Sequence, residues 1–138
     1  MTFEQWAFIA DLYTPLLIVC SVWLLYLSPA SRRQSSMKAM VICIAIVYIS
    51  MAMDEWLSIW PSFGADYSTH SAIALALVVH IVIKSPWLAK WIAVSSLFAY
   101  LQLMHHQQYH TYLDMISTLL YLLPMLVVTW LRFDQQNT

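Results

Sequence analysis

Three histidines and an aspartate crowd one short stretch of this chain, MHHQQYHTYLD at residues 104–114. His106, His110 and Asp114 stand four residues apart, so on a helix they share one face, with His105 beside them. A carboxylate one turn from an imidazole accepts a hydrogen bond from one ring nitrogen. That fixes the tautomer and leaves the other nitrogen free to attack or to take a proton. A second imidazole, His70, is available to protonate a leaving group. Two histidines and an aspartate are thus a kit for nucleophilic transfer through a phosphohistidine. The same residues also read as metal ligands. His105, His106, His110 and Asp114, with Asp54 and Glu55, offer a nitrogen and oxygen set suited to Zn²⁺, Cu²⁺ or Fe²⁺. A bound divalent metal would neutralise the clustered carboxylates and activate water. The third reading is a wet interfacial loop that carries histidines.

The elements that must position these residues are membrane helices. Of 138 residues, 62% are hydrophobic and 9% charged, whereas a soluble domain carries roughly a quarter charged residues. The composition is that of an integral membrane protein, a single all-α domain over residues 1–138. Five segments read as crossings: about 6–27, 39–56, 68–83, 87–104 and 111–131, the third short and the last interrupted by Pro124. Residues 28–38 read as a polar, basic loop, and Pro61 and Gly64 as turn formers between the second and third segments. Glu4 and Asp11 stand where a signal peptide would be cationic, so the first segment is expected to be retained. A single glycine argues against GxxxG seams. Cys20 and Cys43 read as core residues, with no CxxC pair.

Charge orients the bundle. Arg32, Arg33, Lys38, Lys84, Lys90 and Arg132 all fall at one set of segment ends, and Glu4, Asp11, Asp54, Glu55, Asp66 and Asp114 at the other. The positive-inside rule then places the N-terminus outside and the C-terminus in the cytoplasm, as in a protein of the inner cell membrane. The polar ends of four segments therefore share one outward or periplasmic face, where residues distant in sequence can form one pocket. His80 lies ten residues beyond His70, about 15 Å along a helix, and reads as a packed residue outside that pocket. Ser117 and Tyr121 follow Asp114 down its helix as candidate supporting donors. The seven tryptophans and eight tyrosines gather at segment ends as an aromatic belt. No glycine-rich phosphate loop and no basic-aromatic surface is present, so nucleic acid is not an expected partner; membrane lipids are, and a homo-oligomer is reasonable for so small a bundle.

Residues 68–72, STHSA, opening the apolar run IALALVV, resemble the second motif of the type 2 phosphatidic acid phosphatase superfamily, a Pro-Ser-Gly-His-Ser element at the start of a membrane helix. Residues 109–114, YHTYLD, resemble the end of that superfamily's third motif, His-x-x-x-Asp, and the similar element of its sphingomyelin-synthase branch. The resemblance covers about residues 39–131, whose four segments are similar to the last four of the family's usual six helices. It implies His110 as nucleophile, Asp114 as its orienting partner and His70 as general acid, acting without a metal on lipid phosphates or phospholipid headgroups. The chain departs from the pattern at the phosphate-holding cations. Leu103 and Met104 stand where Ser-Arg is expected, Thr69 replaces the motif glycine, and Asp54 and Glu55 occupy the region of the first motif. The outer end has no lysine or arginine. An anionic ester there meets carboxylates instead of positive charge, and this is what keeps a metal-centred role and a non-catalytic assembly role open beside phosphotransfer.

Overall fold

The computed structural model describes residues 2–135 and is an all-helical bundle. Helix α1 (Phe3–Leu27) starts on a capping box. Thr2 Oγ1 accepts the Gln5 amide at 3.2 Å, and Gln5 Oε1 accepts the Thr2 amide at 2.9 Å. The chain then turns within two residues, Ser28 and Pro29, into α2 (Ala30–Leu57). The basic loop expected over residues 28–38 is therefore mostly helix, and Arg32, Arg33 and Lys38 ride on the first turns of α2. The reason is local. Pro29, with its fixed φ and missing N–H, suits the residue before a helix. Arg33 reaches back to the open carbonyls at the end of α1, donating from Nε to Leu25 O (3.1 Å) and from Nη2 to Tyr26 O (2.8 Å) and Ser28 O (3.1 Å). The charge that marks the end of a span also seals the preceding helix.

A single 3₁₀ turn at Pro61–Phe63, closed by Gly64 in the left-handed region (φ 78°), leads to α3 (Thr69–Lys84); α4 (Trp87–His106) and α5 (Tyr112–Gln135) follow. Among the described residues four helices, α1, α2, α4 and α5, are long and apolar enough to cross a membrane. The remaining expected crossing, α3, the third in chain order, has 16 residues, about 24 Å of helix against a hydrocarbon core of roughly 30 Å. Its shortness is tolerated because it packs against all four other helices. From Ala74 to Ile81 every residue is buried, as befits a helix that is apolar all round. The other four turn Phe8, Leu16, Val41, Ile49, Phe98 and Leu120 outward, an apolar surface suited to lipid. This is the architecture of an integral membrane protein.

Buried polar groups pin the segment between α2 and α3. The Trp60 amide donates to Asp54 Oδ1 at 2.7 Å, and the buried Trp60 indole donates to Ser117 Oγ at 2.9 Å while meeting Tyr67 and Tyr121 edge-on. Tyr67 is buried, and its hydroxyl donates to Val47 O at 2.8 Å across the core. Tyr67→Phe leaves that carbonyl without this donor. It is expected to lower stability by about 1 kcal/mol, measured as a fall in the thermal midpoint of the detergent-solubilised protein. His80 is fully buried with its ring parallel to Trp130 at 4.9 Å. It is a packed histidine, as expected, and neither ring nitrogen has a hydrogen-bond partner among the described residues.

Candidate functional site

The N-terminus of α5 is built by Thr111 and Asp114 acting on each other. Thr111 Oγ1 accepts the Asp114 amide at 3.2 Å, and Asp114 Oδ2 accepts the Thr111 amide at 2.9 Å, the reciprocal pattern of a capping box. The other carboxylate oxygen, Oδ1, accepts the Asp66 amide at 2.9 Å. One turn on, Thr118 Oγ1 donates to Asp114 O (2.7 Å) and accepts the Ser68 amide (3.1 Å). Ser68 in turn caps α3, its Oγ accepting the Ser71 amide at 3.3 Å and donating to Ser71 Oγ at 2.8 Å. The starts of α3 and α5 are thus stitched together, and with them the two short motifs, over forty residues apart in sequence.

On that frame sit the histidines. His110 Nδ1 lies 3.4 Å from Asp114 Oδ2. A carboxylate can only accept, so in a hydrogen bond between them Nδ1 is the donor, and Nε2 is the ring nitrogen left facing away from Asp114 for other partners. At 3.4 Å it is long for a hydrogen bond. The carboxylate orients His110 while already holding two backbone amides.

His110 stands between two cavities. The first, about 480 Å³, is lined by Asp11 and Thr14 of α1, His70 of α3, Tyr100 of α4, and Tyr109 and His110 of the α4–α5 loop. The second, about 550 Å³ and more open, is lined by Asp66, His105, His106, His110 and Asp114, with Gln102 among its other walls. His105 lies flat on Tyr112 at 3.8 Å, and His106 meets the edge of Trp6 at 6.4 Å. No lysine or arginine lines either cavity. Among the described residues no three of His, Cys, Asp and Glu converge closely enough to hold a metal ion.

The sequence-expected residues divide accordingly. His70 and His110 share the first cavity, while His105, His106, His110 and Asp114 share the second. Asp54 and Glu55 line neither. Asp54 closes the turn at Trp60, and Glu55 is exposed on the last turn of α2. Ser117 and Tyr121 face away from the histidines: Ser117 receives the Trp60 indole, and the Tyr121 hydroxyl receives Ser50 Oγ at 3.4 Å. Sequence reasoning missed α1 altogether as a wall of the site. Its signal was Asp11, an ionisable residue within an apolar segment. It also missed Thr111 and Thr118, whose hydroxyls carry the cap and the stitch; the Thr-x-x-Asp spacing at 111–114 was the legible clue. Comparison with known proteins finds no family model, no curated protein and no solved structure that this chain matches.

Proposed function

We propose that the protein is a membrane-embedded phosphoesterase or headgroup phosphotransferase, working at the outer, periplasmic face through His70, His110 and Asp114. The observation that carries this reading is the shared cavity: two imidazoles from separate helix starts line one chamber, and a carboxylate holds one of them by Nδ1. His110 Nε2 attacks phosphorus, and the bond from phosphorus to the leaving oxygen breaks as His70, initially protonated, gives that oxygen its proton. Asp114 faces the positive charge that develops on the His110 ring. Water, or an acceptor hydroxyl, then attacks the phosphohistidine. His70 takes back its proton, and the N–P bond returns its electron pair to Nε2. The hydroxyls lining the chamber, those of Thr14, Tyr100 and Tyr109, are neutral, and Asp11 lies among them. A singly charged phosphodiester suits these walls better than a dianionic monoester, which needs cations in its transition state.

The test is a panel of phospholipids and lipid phosphates presented in mixed micelles to purified wild type and to His70→Ala. Turnover of diesters above monoesters, cut on the order of 10²- to 10⁴-fold in the variant, is the expected result. His105, His106, His110 and Asp114 line the second cavity without converging on a metal position among the described residues, so a transition-metal site is the rival outcome of this test. Metal analysis of the same preparation separates the two. Stoichiometric zinc, copper or iron that disappears in the His110→Ala, Asp114→Ala double variant would transfer the site to metal chemistry. A metal-free protein with a blank panel would instead make the bundle a non-catalytic assembly scaffold.

A further inference from the structure

An apolar groove of about 650 Å³ runs along the outside of the bundle between α1 and α4. Its rim on α1 extends from Trp6 through Ile9, Leu12 and Leu16 to Val19, and its far wall is Ser96, Ala99, Tyr100 and Leu103 of α4. From Trp6 to Val19 is about 20 Å at 1.5 Å per residue, the depth of roughly one 15 Å leaflet, half the hydrocarbon core. Polar atoms in the groove are already matched. Ser96 Oγ donates to Ala93 O at 2.7 Å and so takes the Tyr13 hydroxyl as donor at 2.8 Å, while the Tyr13 ring stacks on Tyr100 at 4.3 Å. The rest of the lining is nearly all apolar and suits a hydrocarbon better than a polar ligand.

The groove adjoins the candidate site. Tyr100 belongs both to the groove and to the chamber of His70 and His110. By a second route, a smaller recess of about 300 Å³ shares Trp6, Ala99 and Leu103 with the groove and Gln102 and His106 with the more open histidine cavity.

We infer that this groove is an acyl-chain subsite: it seats one hydrocarbon chain of a membrane lipid and so brings that lipid's headgroup to the His70–His110 chamber. The inference rests on the phosphotransfer reading for what happens to the headgroup, but not for the seating of the chain. It gives α1 a function. That helix lies outside the stretch resembling any known motif, yet it supplies one wall of the groove and Asp11 of the chamber. Access is lateral, from within the bilayer, so an ester lacking a long chain should reach the histidines poorly. A second copy of the chain is the less suitable occupant. Helix seams in lipid are lined by small residues that allow close approach, whereas Ile9, Leu12, Leu16 and Val19 hold a partner helix away.

The experiment uses the full chain in vesicles containing phosphatidylethanolamine with a photoreactive diazirine midway along one acyl chain. After irradiation, mass spectrometry is expected to find the label several-fold enriched on residues 9–19 and 96–103 over the lipid-facing Val41 and Ile49 of α2. Ala99→Trp, at an exposed position that fills the groove, should reduce this to the background of α2; Ser96→Leu serves as a second, smaller obstruction. His110→Ala should leave labelling intact. Labelling spread evenly over all outward-facing helices would overturn the subsite, as would α1–α4 cross-links between two copies. Enriched labelling without turnover of any ester would keep the groove and remove the phosphotransfer reading. Turnover of long-chain esters that Ala99→Trp does not slow would do the reverse.

Discussion

Asp114→Ala is expected to destabilise the bundle by about 3 kcal/mol, lowering the thermal midpoint in detergent by about 10 °C. The magnitude comes from what the carboxylate holds. It is buried and accepts two backbone amides, Thr111 at the head of α5 and Asp66 ahead of α3. Loss of a helix cap costs about 1 kcal/mol, and stranding an amide that had bonded to a charged acceptor costs about 1.5–3 kcal/mol. Asp114→Asn retains an acceptor for one amide and is expected to recover about half of the loss. A fall in Asp114→Ala no larger than in a surface substitution would show that the starts of α3 and α5 are held by Thr118 and Ser68 instead. The consequence for function is direct. An activity lost in Asp114→Ala says nothing about chemistry until folding has been checked, because this residue is a strut of the fold as well as the neighbour of His110.

His110→Ala is the cleaner probe and carries the larger expected effect on turnover, a loss on the order of 10⁴-fold or more if Nε2 is the nucleophile. The side chain is partly exposed on the α4–α5 loop, and its removal leaves both amide bonds to Asp114 in place. The thermal midpoint should therefore stay within a few degrees of wild type. Unchanged phosphodiester turnover in a folded His110→Ala protein would remove the nucleophile from the scheme, whatever His70 does. The comparison with Asp114→Asn is informative too. That change keeps part of the frame but weakens the hold on Nδ1, so in protein shown to be folded it should slow turnover without abolishing it.

Much of this arrangement was legible from residue types. The apolar runs locate the five α-helices, though not the first turns of α2, because a chain in lipid must pair its backbone internally. His110 and Asp114 meet as their spacing suggests, but the helical face expected to carry His106 with them is broken, since α4 ends at His106 and α5 starts at Tyr112; the shared polarity of the helix ends anticipates that His70 joins His110. Two features were hidden for physical reasons. Arg33 looks like a loop residue because sequence registers its charge, not its reach to three carbonyls of the preceding turn. Asp54 looks like a pocket acid because a carboxylate facing a backbone amide six residues on has the same letter as one facing a substrate. Likewise, the contribution of α1 depends on which helices touch, and packing partners in a bundle follow from shape rather than from hydropathy. Only Ala10, Leu17 and Ser21 of α1 are buried, a thin seam against α3 that no periodicity argument picks out from so uniformly apolar a segment.

In the proposed scheme His110 carries the phosphoryl group between its departure and its transfer. The most direct measurement is to mix the protein with a phosphodiester lipid labelled in its phosphate, quench in alkali within a turnover, and map the modified peptide by mass spectrometry. The expected result is an acid-labile phosphoryl adduct on His110 that is absent in His110→Ala and forms more slowly in His70→Ala, which lacks the general acid. Turnover with no adduct on His110, or an adduct on any other residue, would contradict it.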